Sequence, residues 1–223
     1  MECINWGIVE YAEAWRRQNV LFNARVEAKK THNDLPDLVV QCEHPHVYTL
    51  GKSGVVENLL VSNQMLIDRG VSFFRTDRGG DITYHGPGQI VCYPIFDLEH
   101  FKMGLRQYLF SIEEAVIQFL DEFNIKGERM EGAIGVWIDP AVIGKARKIC
   151  AMGVKSSRFV TMHGLALNIN TDLSFFQMIN PCGFINKGVT SLSVETGKEQ
   201  DMNYCRKLLF EKLKLVFNAR SFI

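Results

Sequence analysis

One periodicity constrains this chain more than any other feature. Leu105, Tyr108, Leu109, Ile112, Val116, Phe119, Leu120 and Phe123 recur at three- and four-residue spacing. That spacing predicts a helix within 104–123 with one apolar stripe turned to a core. A stripe this continuous is read as packing surface rather than as a cofactor contact. Its partners are predicted elsewhere in the chain. Residues 4–9, 37–41, 71–75, 133–138, 148–154 and 165–169 are rich in apolar and β-prone residues and read as strands. A second helix is predicted over 11–29, with Tyr11, Trp15, Phe22 and Val26 leaning to one side. A third is predicted over 202–217, with Met202, Cys205, Leu209, Leu213 and Val216 inward. Strands and helices interleave irregularly, without strict βαβ alternation. The pattern fits the α+β class, a mixed sheet flanked by helices. No repeat or linker breaks the 223 residues, so one domain over 1–223 is expected.

Composition removes whole classes of function. Lys plus Arg and Asp plus Glu each number 25, so no net charge points to nucleic acid or to a membrane surface. No run approaches the ~20 apolar residues of a membrane helix. Glu2, Glu10 and Glu13 argue against a secretory signal or an acid-poor transit peptide. The six cysteines, at 3, 42, 92, 150, 182 and 205, form no CxxC pair. In a chain of this size they read as reduced thiols in the cytoplasm, and any special cysteine is special through its chemistry. One local asymmetry stands out. Residues 141–160 hold Lys145, Arg147, Lys148, Lys155 and Arg158 and no acid, which fits either a patch that steers an acidic partner or a solvated face.

Three short segments carry residues that a packed core does not need. The first, RGGDITYHGPGQ (78–89), sets Gly79, Gly80, Gly86 and Gly88 beside Arg78, Thr83, Tyr84 and His85. Glycine permits positive φ and close backbone approach, so this reads as a binding loop. The second, RKICAMGVKSSRFVTMHGLALNIN (147–170), contains two neighbouring strands with the small residues Ala151, Gly153, Gly164 and Ala166. They either leave room for something long and thin or let backbones pack closely. Alternation along the first of these strands sends Lys148, Cys150 and Met152 to one face and Ile149, Ala151 and Gly153 to the other. The third, INPCGF (179–184), holds Cys182 between Pro181 and Gly183. A cysteine on a constrained turn can act as a nucleophile if a neighbour lowers its pKa, although cysteine is also a common buried residue. Two apparent motifs are set aside. Gly51-Lys52-Ser53 would need a glycine at 46 to complete a phosphate loop, and His46 stands there. Cys42, His44 and His46 alternate like metal ligands, but Pro45 interrupts them and no further ligand pair completes the set.

RGGxxTYHGPGQ, KIxAxGV, HGxALN and NPCG, in this order across 44–193, closely resemble the signatures of the lipoyl(octanoyl) transferase family, and HPHVYTLGK (44–52) is similar to that family's HPPVYTLGR. The resemblance implies the fold of biotin and lipoate ligase catalytic domains. It implies that Cys182 accepts the acyl group and that Lys148 activates it. It places Arg78, Gly79, Gly80, Asp81, Ile82, Thr83, Tyr84 and His85 along the acyl pocket, with Ala151, Met152, Gly153, Gly164, Leu165 and Ala166. The implied donor is octanoyl-acyl carrier protein. The implied acceptors are lipoyl-domain proteins such as glycine cleavage H protein and 2-oxoacid dehydrogenase acyltransferase subunits. No cofactor or metal is implied. An ATP-dependent lipoate or biotin ligase on the same fold is the nearest alternative. Lipoate ligases show an SGGG-type loop followed by a histidine-aspartate pair, however, whereas His85 here leads into Gly86-Pro87-Gly88. A lipoyl-domain-binding protein without turnover is the remaining alternative.

Overall fold

In a computed structural model, described here for all residues except 34, 181–186, 221–223 and the side chain of 220, the strands form two sheets. The larger runs β1 (Glu2–Ile8), β2 (Leu38–Glu43), β6 (Gln89–Ile95), β10 (Val160–Asn168), β9 (Arg147–Ser157), β8 (Ala133–Ile138) and β7 (Glu128–Met130), with β11 (Gly188–Val189) pairing β9. The smaller is β4 (Ser72–Arg75), β3 (Val47–Leu50) and β5 (Ile82–His85). β1–β2, β11–β9 and β3–β4 are parallel and the other pairs antiparallel, so both sheets are mixed. Neighbours from β10 through β9 and β8 to β7 are consecutive in the chain, whereas β2–β6 and β6–β10, in the middle of the sheet, are not.

Helices α3 (Leu105–Asp121) and α5 (Met202–Arg220) pack together over one core built on the large sheet. The α3 stripe is buried from Tyr108 through Leu120, while Leu105 at its start is exposed. Cys205, Leu209, Leu213 and Val216 of α5 all face inward. Helix α1 (Tyr11–Lys30) lies with a second cluster that includes Val40, Val91, Tyr93 and Ala166. Its buried side is Tyr11, Ala14, Gln18, Phe22, Arg25 and Ala28, with Trp15 and Val26 only partly covered. Gln18 and Arg25 are tolerated inside because each has a partner. Gln18 Oε1 accepts from the His163 N–H at 3.1 Å, and Arg25 pairs with Asp37 at 3.2 Å. The short helices α2 (Asn63–Asp68) and α4 (Leu192–Thr196) complete the chain. No described helix is long and apolar enough to cross a membrane.

Two expectations about β9 and β10 are corrected. Both strands are longer than their apolar runs because Ser157 pairs with Val160 across a two-residue turn. That turn places Arg158 (φ 51°) and Phe159 (φ 64°) in the left-handed region without a glycine to announce it. Second, the β8–β9 register breaks between Val136 and Trp137, which pair with Cys150 and Lys148. The extra residue, Ile149, resets the alternation. Cys150 and Ile149 both enter the core under the helices, and Lys148 joins Ala151 and Gly153 along the opposite, open side. The basic run of 141–160 is also dispersed. Residues 147 and 155 stand about 27 Å apart at ~3.4 Å per residue. Arg147 is bound by Asp139 and Glu195, and Lys155 by Asp77, each at 2.6 Å.

Candidate active site

A cavity of about 1340 Å³ opens between the large sheet, the small sheet and the loop after β10. Its floor is ordered by strand register. Val91, Ala166 and Ala151 form one row across β6, β10 and β9. Gly164 and Gly153 form the next row, with Tyr93 further along β6. Gln89 and Asn168 form the row on the other side, next to Lys148. Rows are about 6.8 Å apart, two residues at ~3.4 Å. The cavity therefore runs along the strands, from a polar row beside Lys148, past two alanines and a valine, to a glycine row.

Both meanings of the small residues apply, at different positions. Ala151 and Ala166 leave open space above the middle row. Gly153 admits the glycine-rich loop instead: a Cβ there would come 2.6 Å from the Gly79 carbonyl and 3.1 Å from Arg78 Cδ. The Gly79 N–H also donates to the Val154 carbonyl at 2.8 Å. Loop 78–81 thus closes down on β9 at that end of the cavity. Of its glycines, Gly80 and Gly88 take positive φ, and Gly79 and Gly86 do not.

The loop is braced from within. Arg78, buried, donates from Nη2 to the Thr49 carbonyl at 2.6 Å and the Asp81 carbonyl at 2.7 Å, and from Nη1 to the Gly79 carbonyl at 2.9 Å. Asp81 accepts from the Ile82 N–H and from Asn58 Nδ2, both at 2.6 Å. A polar chain then crosses the cavity wall. Thr49 Oγ1 lies 3.4 Å from His85 Nε2, and His85 Nδ1 donates to Gln89 Oε1 at 2.8 Å. Gln89 Nε2 donates to Asn168 Oδ1 at 2.8 Å, and Asn168 Nδ2 donates to the Thr190 carbonyl at 2.9 Å. The Thr190 N–H closes the chain on the Lys148 carbonyl at 3.0 Å. Burial pulls the His85 pKa down to about 3, so the ring is neutral near pH 7 and acts as a bridge.

Lys148 reaches the cavity from β9. Its ammonium donates to the Ile134 carbonyl at 3.2 Å and sits 4.6 Å above the ring of buried Trp137. Lys187 approaches the same ring at 5.4 Å. Cys182 lies outside the described residues. Asn180 and Lys187, on either side of its segment, both line the cavity, and β11 just beyond pairs Val189 with Lys148. The other five cysteines are held as thiols: burial raises the pKa of Cys3, Cys42, Cys92, Cys150 and Cys205, the last to about 11.

Arg78, Gly79, Gly80, Asp81, Ile82, Thr83 and His85 line the cavity, as do Ala151, Met152, Gly153, Gly164, Leu165 and Ala166. Met152 and Leu165 pair on the alternate face and pack into the helix-side core, while also bordering the cavity. Tyr84 is a correction. It does not line the cavity but is buried on the far side of β5, its hydroxyl 2.7 Å from His46 Nδ1 and its ring stacked on Phe175. Strand alternation sends Thr83 and His85 one way and Tyr84 the other. His44 contacts the Val9 carbonyl and the Tyr93 hydroxyl, each at 2.7 Å. Gln89, Asn168 and Trp137 are site residues that motif reading passed over. Gln89 and Asn168 close their motifs, and that placement was the available signal.

The mixed sheet with its flanking helices has the fold of lipoate and biotin ligase catalytic domains. In the bi-partite lipoate protein ligase of Thermoplasma acidophilum, described together with its E2 lipoyl domain as an archaeal lipoylation system, the match covers 98% of this chain and 84% of that one, with a TM-score of 0.70 and 16% identity. The biotin protein ligase of Aquifex aeolicus, in complex with biotin and ATP, matches over 97% of this chain and 70% of that one, with a TM-score of 0.55 and 12% identity. Residues 10–214 match the lipoyl protein ligase A/B catalytic domain. An octanoyltransferase of Parabacteroides distasonis is 56% identical over 203 residues, 91% of this chain and 92% of that protein. The chain belongs to the lipoyl protein ligase A/B catalytic domain family.

Proposed function

We propose that this acyltransferase moves an octanoyl group from octanoyl-acyl carrier protein to a lysine of a lipoyl domain, through a thioester on Cys182. Octanoyl transfer is the activity of its half-identical relatives. The observation that carries the residue assignment is the cavity itself. Lys148 stands at its polar end, Lys187 meets the same Trp137 ring, Asn180 also lines the cavity, and an apolar row leads away from the lysine.

The Lys148 ammonium stabilises the Cys182 thiolate and lowers its pKa. The thiolate attacks the octanoyl thioester of the carrier's phosphopantetheine arm. The new C–S bond forms as the old one breaks, and the carrier leaves as a thiol with the proton that the Lys148 ammonium gives up, which leaves that lysine neutral. The acceptor lysine then attacks octanoyl-Cys182 as a neutral amine, and Lys148 takes the proton that nitrogen loses. The amide forms and the Cys182 thiolate returns. Thioester to amide runs downhill, so the reaction requires neither ATP nor metal. Residues 1–223 act as one catalytic domain in the cytoplasm, and glycine cleavage H protein and dehydrogenase acyltransferase subunits are the acceptors.

The test is incubation with octanoyl-carrier protein alone, then with a lipoyl domain, with and without ATP. One octanoyl group should appear on Cys182 and pass to the lipoyl domain without ATP. Dependence on ATP and a free acid would instead indicate a ligase. Acylation of another cysteine, or transfer with none, would remove Cys182 from the mechanism.

A further inference from the structure

We propose that Glu113 is a positioning residue for Lys148, acting through Gly135 of β8. The inference rests on the reading of Lys148 as the group that activates Cys182.

Two contacts of the lysine, with the Ile134 carbonyl and the Trp137 ring, belong to β8 and flank Gly135. Gly135 has φ 121°, a conformation open to glycine and strained for other residues. A Cβ at this position would run into the Cys150 carbonyl and lie 3.5 Å from Lys148 Cε. Gly135 therefore sits directly against the lysine's stem, and its backbone shape sets where the ammonium stops.

What holds that shape comes from the helix behind the sheet. Glu113 lies on α3 between Ile112 and Val116, on a face otherwise given to core packing, and it is buried. Its Oε1 accepts the Gly135 N–H at 3.0 Å, in a buried bond across 22 residues of sequence. Its Oε2 accepts from Arg129 Nε at 3.1 Å. Arg129 is fixed in turn by Glu114 at 2.8 Å and lies 3.6 Å over the Phe110 ring. A buried carboxylate is costly unless fully partnered, and an apolar residue would pack such a helix face as well or better. Here the charge meets the Gly135 backbone N–H. Glu113 holds Gly135, Gly135 sets Ile134 and Trp137, and those two set the Lys148 ammonium.

The experiment compares the intact wild-type protein with Lys148→Ala, Glu113→Ala, Glu113→Gln and Gly135→Ala. It records the pH midpoint for alkylation of Cys182, the kcat and KM of octanoyl transfer, and Tm. Loss of a nearby cation moves a thiol by ~1–3 pH units, so Lys148→Ala should raise the midpoint by that much and Glu113→Ala by about one unit. Glu113→Ala should also lower kcat about tenfold, part of the 10²–10⁴ that a positioned base supplies, with KM for the carrier protein unchanged. Glu113→Gln keeps an oxygen for the Gly135 N–H and should stay near wild type. A Glu113→Ala protein with reduced Tm but an unmoved midpoint and kcat would mean that Glu113 only supports the fold, and the proposal would be wrong. Should that variant not fold, Gly135→Ala must raise the midpoint, and no rise overturns the proposal. An unmoved midpoint in Lys148→Ala would bring down the reading of Lys148 and this inference with it, whereas a shift there with none in Glu113→Ala rejects the inference alone.

Discussion

Replacing Ala166 with leucine tests whether the row geometry of the cavity gauges the acyl chain. Ala166 sits between Val91 and Ala151 in the middle row, about 6.8 Å from the row beside Lys148 at ~3.4 Å per residue. With C–C bonds of about 1.5 Å, the seven zigzag bonds of an octanoyl group span roughly 9 Å. A carbonyl placed beside Lys148 therefore sends the chain past the middle row, with about two carbons beyond it and the glycine row still ahead. Leucine adds bulk to the wall at that crossing and strands those two carbons. At ~0.8 kcal/mol per buried methylene, the lost burial is about 1.6 kcal/mol, roughly a fifteenfold fall in kcat/KM for octanoyl donors. A butanoyl donor ends before the crossing and should keep its rate. The assay is transfer from butanoyl, hexanoyl and octanoyl thioesters, read as a ratio so that any loss of folded protein cancels. Overpacking costs ~1–3 kcal/mol of stability, to be followed as Tm. An octanoyl-to-butanoyl ratio equal to wild type, or a preference shifted to longer chains, would refute the placement of the chain along these rows.

Two further outcomes follow from the charged and titrating groups. Burial lowers the pKa of His44 to about 4 and of His85 to about 3, against about 6.5 unfolded. The unfolded chain therefore binds protons that the folded chain refuses, and stability should fall as pH drops from about 6.5 toward 4. Each ring contributes up to ~1.4 kcal/mol per pH unit, so His44→Asn should flatten the slope of urea-unfolding free energy in that window, and an unchanged slope would contradict its buried neutral state. Lys155 bridges to Asp77, which also holds His163 Nε2 at 2.8 Å on the cavity wall. Lys155→Glu should accordingly slow transfer from a small octanoyl thioester and from carrier protein alike, whereas a loss confined to carrier protein would make that lysine a docking contact.

The elements that sequence alone determined are those whose signal is local. The α3 and α5 stripes follow from helical spacing, and the identities of β8 and β9 from apolar, β-prone runs, because an amphipathic element carries its burial pattern in its own residues. The glycine-rich loop and the small residues are legible for the same reason: each departs from what a packed core requires. Tertiary structure decided the rest. No composition signal marks Ile149 as a bulge, yet that single extra residue moves Lys148 to the open side and Cys150 into the core. Arg158 and Phe159 make a tight turn without a turn residue because the pairing on both sides holds them there. Glu113 and Gln18 are polar residues buried on their helices, and their partners, Gly135 and His163, come from strands far away in sequence. Register and buried polar pairing depend on which strands become neighbours, and that choice is made by the whole chain at once.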